Sequence, residues 1–298
     1  MMEKNIRLYL AKGDIMRKIV LTTESGADLP EKLVHKFGIK VVPMHVIMDG
    51  KDYKDGSIPV TDIFDYYEST KKIPSTTSTN PNEYTELFQA VRAENPESMI
   101  VHVGYTSQAS SSFQNALIAG EDFNDIYFVD TLNVTGGLGA VVLYAAELLQ
   151  DHPTIGVEDL IAAIEQVVPK TKLAFLPGNL EYLRAGGRVT NAQYLGASLL
   201  KLKPMIELIN GKLVSTKKYR GKMLKATTTL LHDYFKNYNI DRKQLYFIYS
   251  VGLEEEIKRE LEKVAAEYDF HHIEWIEAGC VITCHSGPGA FGVAGIEI

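Results

Sequence analysis

The sequence predicts an α/β fold, organised as two domains or as one large α/β unit. Short apolar runs rich in β-branched residues alternate with longer segments of helical periodicity, which is typical of strands joined by helical crossovers. The 298 residues exceed the size of one comfortable hydrophobic core. The local pattern also changes after Pro153. We therefore expect an N-terminal α/β domain over 17–165 and a C-terminal α/β domain over 166–298, with a cleft between them.

The first half is predicted to hold parallel strands with flanking helices. Each candidate strand is followed by a polar or glycine-rich turn and then by a candidate helix, as a parallel sheet requires. The predicted strands are Ile19–Thr22, Lys40–Met48, Met99–Val103 and Ile126–Asp130, and the predicted helices are Asp28–Phe37, Asn82–Ala93, Ser111–Ala119 and Gly136–Leu149. Asn80 supplies an N-cap for the second of these helices, because Pro81 follows it at the first helical position.

The second half predicts a mixed α/β arrangement that contains a hairpin. Asn210 and Gly211 separate two apolar runs, and this dipeptide is a strong indicator of a hairpin turn. The predicted helices are Val157–Val168, Leu180–Ala185, Gly221–Tyr238 and Glu254–Tyr268, and the predicted strands are Met205–Ile209, Lys212–Ser215, Gln244–Ser250 and His272–Ile276.

Composition argues against several classes of function. The formal net charge of −7 disfavours nucleic acid as a main partner, since binding to the phosphate backbone requires clustered Lys and Arg. No apolar run is long enough for a membrane span, so we expect no stable membrane insertion. Cys280 and Cys284 are the only cysteines, too few for a disulfide framework, and no His or Cys cluster beside them could bind a metal. Residues 1–14 lack a signal-peptide pattern, and we therefore expect a cytoplasmic protein.

Three hydroxyl-rich segments predict a shared polar pocket. They cover 22–26, 75–80 and 106–112, and they lie next to predicted strand ends or helix starts. Ligands of open α/β sheets gather beyond the carboxyl ends of the strands. Hydroxyls and backbone amides there can hold a carboxylate or phosphate without a matching buried charge. The alternative for each single hydroxyl is helix capping, which Ser and Thr favour.

The C-terminal motif from His285 to Gly292 is a second candidate site. Glycines at 287, 289 and 292 leave backbone N–H groups uncovered, so an anionic group can approach the ring and the main chain. The spacing also matches the dinucleotide fingerprint, but only six residues follow Gly292, too few for the helix and acidic residue that this site requires. The alternative is a tight turn between two C-terminal strands.

Arg188 is the candidate cation of this pocket. It follows Gly186 and Gly187, which are expected to end a helix and to turn the arginine toward the cleft. The alternative is a solvated or salt-bridged arginine on the surface.

A serine hydrolase is the competing class of function. Ser110 or Ser25, with His285 and Asp130, would supply the residue types of a catalytic triad. No Gly-x-Ser-x-Gly elbow surrounds any serine, and no phosphate-binding loop of the Gly-x-x-x-x-Gly-Lys type occurs. The residue types of a triad are therefore present, but no sequence motif marks a nucleophilic serine. Nucleotide-driven chemistry by this chain alone is not expected either.

A basic run from Lys212 to Lys225 stands out in an acidic protein. One interpretation is a docking face for an acidic partner. The other is an exposed strand edge on which lysines prevent pairing with a second chain.

Taken in order, these segments resemble the DegV family, which includes the fatty-acid-binding subunits of bacterial fatty acid kinase. The similarity extends from about Arg17 to the C-terminus, and seven motifs occur in the family's order. The motifs are Thr23-Glu24-Ser25-Gly26-Ala27-Asp28-Leu29-Pro30, Pro74-Ser75-Thr76-Thr77-Ser78, Thr106-Ser107-Gln108-Ala109-Ser110-Ser111-Ser112-Phe113, Val129-Asp130-Thr131, Leu180–Arg188, Lys203-Pro204 and His285-Ser286-Gly287-Pro288-Gly289.

The resemblance implies a two-domain DegV-like fold with a long-chain fatty acid in a tunnel between the domains. It places the carboxylate against Thr76, Ser110 and Ser111, with His285 and Arg188 close by. Supporting polar residues would be Ser25, Thr106 and Asp130. Residues suitable for the tunnel lining are Leu195, Leu199, Leu200, Met205, Ile206, Phe175 and Phe291, and the alternative for each of them is ordinary core packing.

The same resemblance implies a carrier that is not an enzyme by itself. It would present the acid to a separate ATP-dependent fatty acid kinase and carry the acyl phosphate onward in phospholipid metabolism, with no cofactor and no bound metal. This sequence departs from the family at Glu24, where Asp is usual, in the 76–79 segment, and at Ser111, where Gly is usual. We expect the Ser111 side chain to narrow the approach to the backbone amide.

Overall fold

The structure is a computed structural model that describes residues 17–189, 202–270 and 272–298. The N-terminal segment 1–14 and the tunnel candidates Leu195, Leu199 and Leu200 lie outside the described residues. The strands are β1 (Ile19–Glu24), β2 (Lys40–Val42), β3 (His45–Met48), β4 (Lys51–Lys54), β5 (Ser75–Thr77), β6 (Met99–Gly104), β7 (Ile126–Asp130), β8 (Thr171–Leu176), β9 (Leu202–Ile209), β10 (Lys212–Arg220), β11 (Leu245–Tyr249), β12 (Ile273–Glu277) and β13 (Phe291–Ile296). The helices are α1 (Glu31–Phe37), α2 (Thr61–Thr70), α3 (Pro81–Glu94), α4 (Ser112–Gly120), α5 (Thr135–Asp151), α6 (Val157–Val167), α7 (Leu180–Gly186), α8 (Met223–Asn237), α9 (Glu255–Glu267) and α10 (Cys280–Ser286).

The first large sheet is parallel throughout. Its order is β2-β1-β6-β7, and every neighbouring pair runs in the same direction. β1 and β6 are buried along nearly their whole length, as expected of strands covered by helices on both faces. The carboxyl ends of β1, β6 and β7 therefore lie along one edge, which confirms the predicted parallel sheet with flanking helices.

The second large sheet is mixed. Its order is β10-β9-β8-β13-β11-β12, and only β11 and β12 pair in parallel. β9 and β10 form the hairpin predicted at Asn210 and Gly211, which both have positive φ angles. β10 lies at the edge of this sheet, so part of the basic run is an exposed edge strand, as the second interpretation expected.

A third, small antiparallel sheet was not predicted. It has the order β4-β3-β5. The predicted strand Lys40–Met48 is wrong as a single element, because the chain leaves β2 at Pro43 and enters β3 two residues later. Proline cannot donate to a strand ladder, and the Pro43 carbonyl instead accepts a hydrogen bond from Thr79 Oγ1 at 2.7 Å. The hydroxyl-rich segment 75–80 thus begins in this small sheet and not at a carboxyl end of the parallel one.

Helix α5 lies between the two large sheets. It contacts β1 and β6 on one side and β8, β11 and β13 on the other. Eleven of its seventeen residues are buried, so it is apolar nearly all round. Gly136 and Gly139 make the close packing possible: a Cβ on Gly136 would lie 2.5 Å from Ile248, and one on Gly139 would lie 3.0 Å from the Ala27 carbonyl oxygen. Both sheets thereby share a core across this helix.

Four of the other helices cover the outer faces of the two large sheets. α3 and α4 pack on the parallel sheet, and α8 and α9 pack on the mixed sheet. α3 begins as predicted, with a capping box. The Asn80 side chain accepts the Glu83 N–H at 3.1 Å, and the Glu83 carboxylate accepts the Asn80 N–H. The division of the chain at residue 165 remains a prediction.

A buried ionic network lies beneath the carboxyl ends of β1 and β6. Glu24 is fully buried and accepts hydrogen bonds from Tyr84 Oη at 2.6 Å, the Tyr105 N–H at 2.9 Å and His102 Nε2 at 3.1 Å. Burial alone raises the pKa of Glu24, but the charge on His102 and these hydrogen bonds outweigh it, so that the pKa lies below its usual value. The unusual Glu at this position is therefore a fully satisfied core residue.

Replacing Tyr84 by Phe should destabilise the protein by about 1.5–3 kcal/mol at pH 7, because a buried carboxylate loses one of its donors. Tyr66→Phe is the matched control, since the Tyr66 hydroxyl donates to Asp49 at the exposed surface, and it should change stability by no more than about 0.5 kcal/mol. Chemical denaturation measures both.

The pH dependence follows from the lowered pKa of Glu24. The stabilisation from the ionised Glu24 is present above the usual pKa of Glu and is lost as the pH falls through the pKa of the folded state. The difference in free energy of unfolding between wild type and Tyr84→Phe should therefore become smaller in acid. Equal stability losses for Tyr84→Phe and Tyr66→Phe would contradict this account of the network.

Candidate functional site

A deep cavity opens where the carboxyl edge of the parallel sheet faces the mixed sheet. Its empty volume is about 890 Å³, with the open solvent at its mouth included. Most of its lining is apolar. The lining residues are Met44, Thr76, Thr77, Ser78, Tyr105, Ala109, Ser110, Val134, Thr135, Leu173, Phe175, Leu183, Arg188, Val189, Leu213, Ile248, Tyr249, Ser250, Ala278, Val281, Ile282, His285, Ser286, Ala290, Phe291 and Gly292.

The polar part of the lining is centred on a contact between Thr76 and His285. Thr76 Oγ1 lies 2.8 Å from His285 Nε2, although the two residues are 209 positions apart in sequence. Thr76 is supplied by β5 and His285 by the last turn of α10. The sequence pattern did not predict β5 or α10, although the motifs did point to Thr76 and His285, the residues that these elements carry.

His285 has little room to move. A Cβ on Gly186 would lie only 2.1 Å from His285 Nδ1, so the ring packs against the glycine backbone at the end of α7. Burial, and secondly the positive charge of Arg188, lower the pKa of His285 to about 4. The ring is therefore neutral near pH 7 and serves as a hydrogen-bonding group rather than as a cation.

Arg188 is an exposed residue that lines the cavity and brings a positive charge to its wall. α7 ends at Gly186, and Gly187 follows with a φ of 65°, a left-handed conformation that glycine adopts readily. The Arg188 guanidinium donates to the Gly186 carbonyl oxygen at 2.7 Å. The cation is thus tied to the same turn that restrains His285, and it favours an anionic ligand at this side of the cavity.

The two serines proposed for the carboxylate differ in position. Ser110 lines the cavity, and its Oγ lies 3.0 Å from Ser112 Oγ and accepts the Ser112 N–H at 3.1 Å. Ser111 is exposed, and its side chain is not part of the described cavity wall. Its φ of −81° is ordinary for any residue. The expected narrowing by the Ser111 side chain is therefore not seen.

The three supporting polar residues lie outside the cavity wall and stabilise the loops around it. Ser25 donates to Asp55 at 2.8 Å and accepts the Met44 N–H at 3.0 Å. Thr106 donates to the Gly211 carbonyl oxygen at 3.0 Å, which joins the β6 loop to the β9–β10 hairpin. Asp130 accepts N–H groups of the loops that follow β6 and β7.

Ser286 is a cavity residue that the sequence analysis missed. It is 6% exposed, and its Oγ has no hydrogen-bond partner in the part of the chain that the structure describes. A buried hydroxyl without a partner is costly, so this one is available to a ligand. Its position beside His285 in the His-Ser-Gly-Pro-Gly motif was the available indication.

Only some of the residues suggested for the tunnel lining are found in the cavity wall. Phe175 and Phe291 line the cavity. Met205 and Ile206 are buried but belong to the packed cores on either side of the mixed sheet, because successive residues of β9 face opposite ways.

The residue types of a serine hydrolase do not assemble into a triad. Ser110 is hydrogen-bonded to Ser112, His285 Nε2 contacts Thr76, and Asp130 is engaged with backbone N–H groups. No observation on the described residues favours the esterase alternative.

Residues 17–189, 202–270 and 272–298 contain neither a candidate metal site nor a candidate membrane span. No three His, Cys, Asp or Glu side chains there are grouped so that they could hold a metal ion. No helix in those ranges is both long and apolar enough to cross a membrane.

Fold and cavity together define an α/β protein with a deep, mainly apolar ligand cavity and a polar cluster on one wall. The model of the DegV family, described as "Uncharacterised protein, DegV family", matches residues 18–297. The chain belongs to the DegV family.

Individual relatives agree with this assignment. A DegV domain-containing protein of Caldanaerobacter subterraneus is 32% identical over 285 residues, which cover 93% of this chain and 98% of the relative. A fatty acid-binding protein of Thermotoga maritima is 25% identical, with 94% of this chain and 98% of the relative covered. The solved structure of a fatty-acid-binding DegV family protein from Thermus thermophilus matches with a TM-score of 0.84 at 27% identity, covering 94% of this chain and all of the other.

Arg188→Gln should raise the pKa of His285 from about 4, because the nearby positive charge is removed while the burial remains. The value should stay below the usual pKa of histidine, about 6.5. Titration of the ring nitrogens by NMR in the ligand-free protein measures it. Arg184→Gln is the control, because Arg184 is an exposed arginine on α7, just before Arg188, and the change should leave the titration unchanged. A wild-type His285 that titrates near pH 6.5 would contradict the proposed environment.

Proposed function

We propose that this protein binds one long-chain fatty acid, with the tail in the apolar cavity and the carboxylate at Thr76, Ser110, His285 and Arg188. The observation that carries the proposal is the Thr76–His285 contact beside Arg188 on one wall of an otherwise apolar cavity. The fatty-acid-binding relatives from Thermus thermophilus and Thermotoga maritima support the same ligand class.

The free energy of binding would come mainly from the tail. Burial of each CH₂ group contributes about 0.8 kcal/mol, so a sixteen-carbon tail has ample favourable energy from which the costs of association are subtracted. The polar cluster then has to select the head group and fix its orientation. This division explains why most of the cavity lining is apolar.

The head group would be held by a relay of hydrogen bonds. With the Nε2–H tautomer of His285, the ring donates to Thr76 Oγ1, and the Thr76 hydroxyl is left to donate to the carboxylate. Arg188 compensates the negative charge, and the Ser110 hydroxyl adds a donor. Because His285 is neutral, the site carries one cation for one anion, which avoids an uncompensated buried charge.

In the second part of the proposal, the protein is a substrate-presenting subunit without catalytic activity of its own. A separate fatty acid kinase would transfer the γ-phosphoryl group of ATP to a carboxylate oxygen, which yields the acyl phosphate and ADP, and this chain would carry the acyl phosphate onward. The resemblance to the fatty-acid-binding subunits of that kinase and the lack of a phosphate-binding loop in this sequence support this role. Such a partner places the protein in the cytoplasm, where ATP is available.

Purified wild-type protein should carry fatty acid in a one-to-one ratio. Native mass spectrometry gives the ratio, and organic extraction after denaturation identifies the lipid. Thr76→Ala and Ser110→Ala should weaken fatty acid binding about tenfold, because each removes a hydrogen bond to a charged group.

Ser107→Ala is the control for these variants, since Ser107 is an exposed serine of the same loop that lies outside the cavity wall. Wild-type protein that contains no lipid and takes up no added fatty acid would refute the proposed ligand.

His285→Ala should reduce phosphoryl transfer to the bound lipid more than it reduces lipid binding, because the ring orients the head group and does not contact the end of the tail. Lipid-loaded protein is mixed with the catalytic protein of the kinase and ATP, and the acyl phosphate is quantified. Undiminished transfer by His285→Ala would exclude the role given to His285, and no transfer by the wild-type protein would exclude the kinase partnership.

A further inference from the structure

The helix that carries His285 is held at its start by two carboxylates from the first sixty residues of the chain. Asp28 Oδ1 accepts the Gly279 N–H at 2.9 Å. Asp55 Oδ1 accepts the Cys280 N–H at 2.9 Å, and the Val281 N–H is 3.4 Å away. The first N–H groups of a helix have no partner within the helix, so these contacts satisfy the start of α10.

The second oxygen of each carboxylate is also occupied. Asp55 Oδ2 accepts the Ser25 hydroxyl at 2.8 Å. Asp28 Oδ2 accepts the Thr135 hydroxyl at 2.5 Å. Thr135 lines the ligand cavity and has a φ of 42°, which is unusual for a β-branched residue. Asp28 therefore joins a strained residue of the cavity wall to the helix that carries His285.

The glycine at 279 allows both carboxylates to approach the same backbone segment. A Cβ on Gly279 would lie 3.1 Å from Asp28 Oδ1 and 3.1 Å from Asp55 Oδ1. Burial raises the pKa of both carboxyl groups, and for Asp28 the charge of Asp55 raises it further. Two neighbouring buried carboxylates are unfavourable by themselves, and the N–H groups at the positive end of a helix dipole are the arrangement that compensates them.

The far end of α10 has almost no tolerance for displacement. His285 must remain within hydrogen-bond distance of Thr76 while its ring lies against Gly186, where not even a methyl group would fit. α10 has only seven residues, so its start and His285 belong to one short rigid unit. A shift at the start of the helix is transmitted directly to the ring.

We infer that Asp28 and Asp55 are positioning residues of the head-group site, which hold α10 so that His285 meets Thr76. They do not touch the ligand themselves, since neither side chain lines the cavity. This inference rests on the proposed function for its ligand, but the position of His285 can be measured without any lipid.

The experiment compares Asp55→Asn and Asp28→Asn with wild type in two measurements. The first is the NMR spectrum of the His285 ring nitrogens in the ligand-free protein. The second is the affinity for palmitic acid and for the alcohol of the same chain length, which lacks the carboxylate. We expect shifted His285 resonances and an affinity for the acid that falls about tenfold, with a smaller change for the alcohol.

Asp125→Asn is the control, because Asp125 pairs with Arg17 at the amino end of β7, on the opposite edge of the parallel sheet from the cavity, and it should leave the resonances and the acid-to-alcohol ratio unchanged. Ser25→Ala is a milder variant, which removes one donor to Asp55 and should shift the same resonances if the Asn variants fail to fold.

Unchanged His285 resonances in the folded variants would overturn the inference, as would an equal loss of affinity for acid and alcohol. Wild-type protein that binds neither lipid would refute the proposed function but not this inference, because the ring resonances of the ligand-free protein still report the position of α10.

Discussion

The burial of α5 between two sheets is the constraint on which the rest of the structure depends. A helix that is apolar on nearly every side cannot face water, so both sheets must cover it. Gly136 and Gly139 let the sheets approach closely. The carboxyl edge of the parallel sheet is thereby brought opposite the mixed sheet, and Val134 and Thr135 at the start of α5 become part of the cavity wall. The ligand cavity is thus a consequence of how the core is closed.

The polar wall shows how few charged groups the proposed head-group site contains. Arg188 supplies a cation, and the neutral His285 and the hydroxyls of Thr76 and Ser110 supply hydrogen bonds. A second cation would attract an anion more strongly, but it would carry its own cost of burial in the unliganded protein. The arrangement favours a ligand with one negative charge and a long apolar body. It also leaves the large apolar surface free to determine which tails fit.

The sequence predicted most of the long elements and pointed to Thr76, Ser110, Arg188 and His285, which line the cavity, but it did not predict how these parts are arranged. α3 has an amphipathic pattern and a capping box, and α5 is a long unbroken apolar segment, so both were predicted close to their observed bounds. The elements β5, β8, α10 and β13 were missed, because they are short and are stabilised by contacts distant in sequence. The same applies to Asp28 and Asp55: their partners on α10 are more than two hundred positions away, and local sequence does not record such a pairing.

These long-range contacts also bear on how the protein is made. Thr76 meets His285 across 209 residues, and Asp28 meets Gly279 across 251. Neither contact can form until the segment from Gly279 to His285 has left the ribosome. Structures dominated by such distant contacts fold slowly, and the first half of this chain must emerge with the side of α5 that faces β8, β11 and β13 uncovered. This apolar side of α5 is therefore an aggregation risk during synthesis, when chaperones would have to protect it.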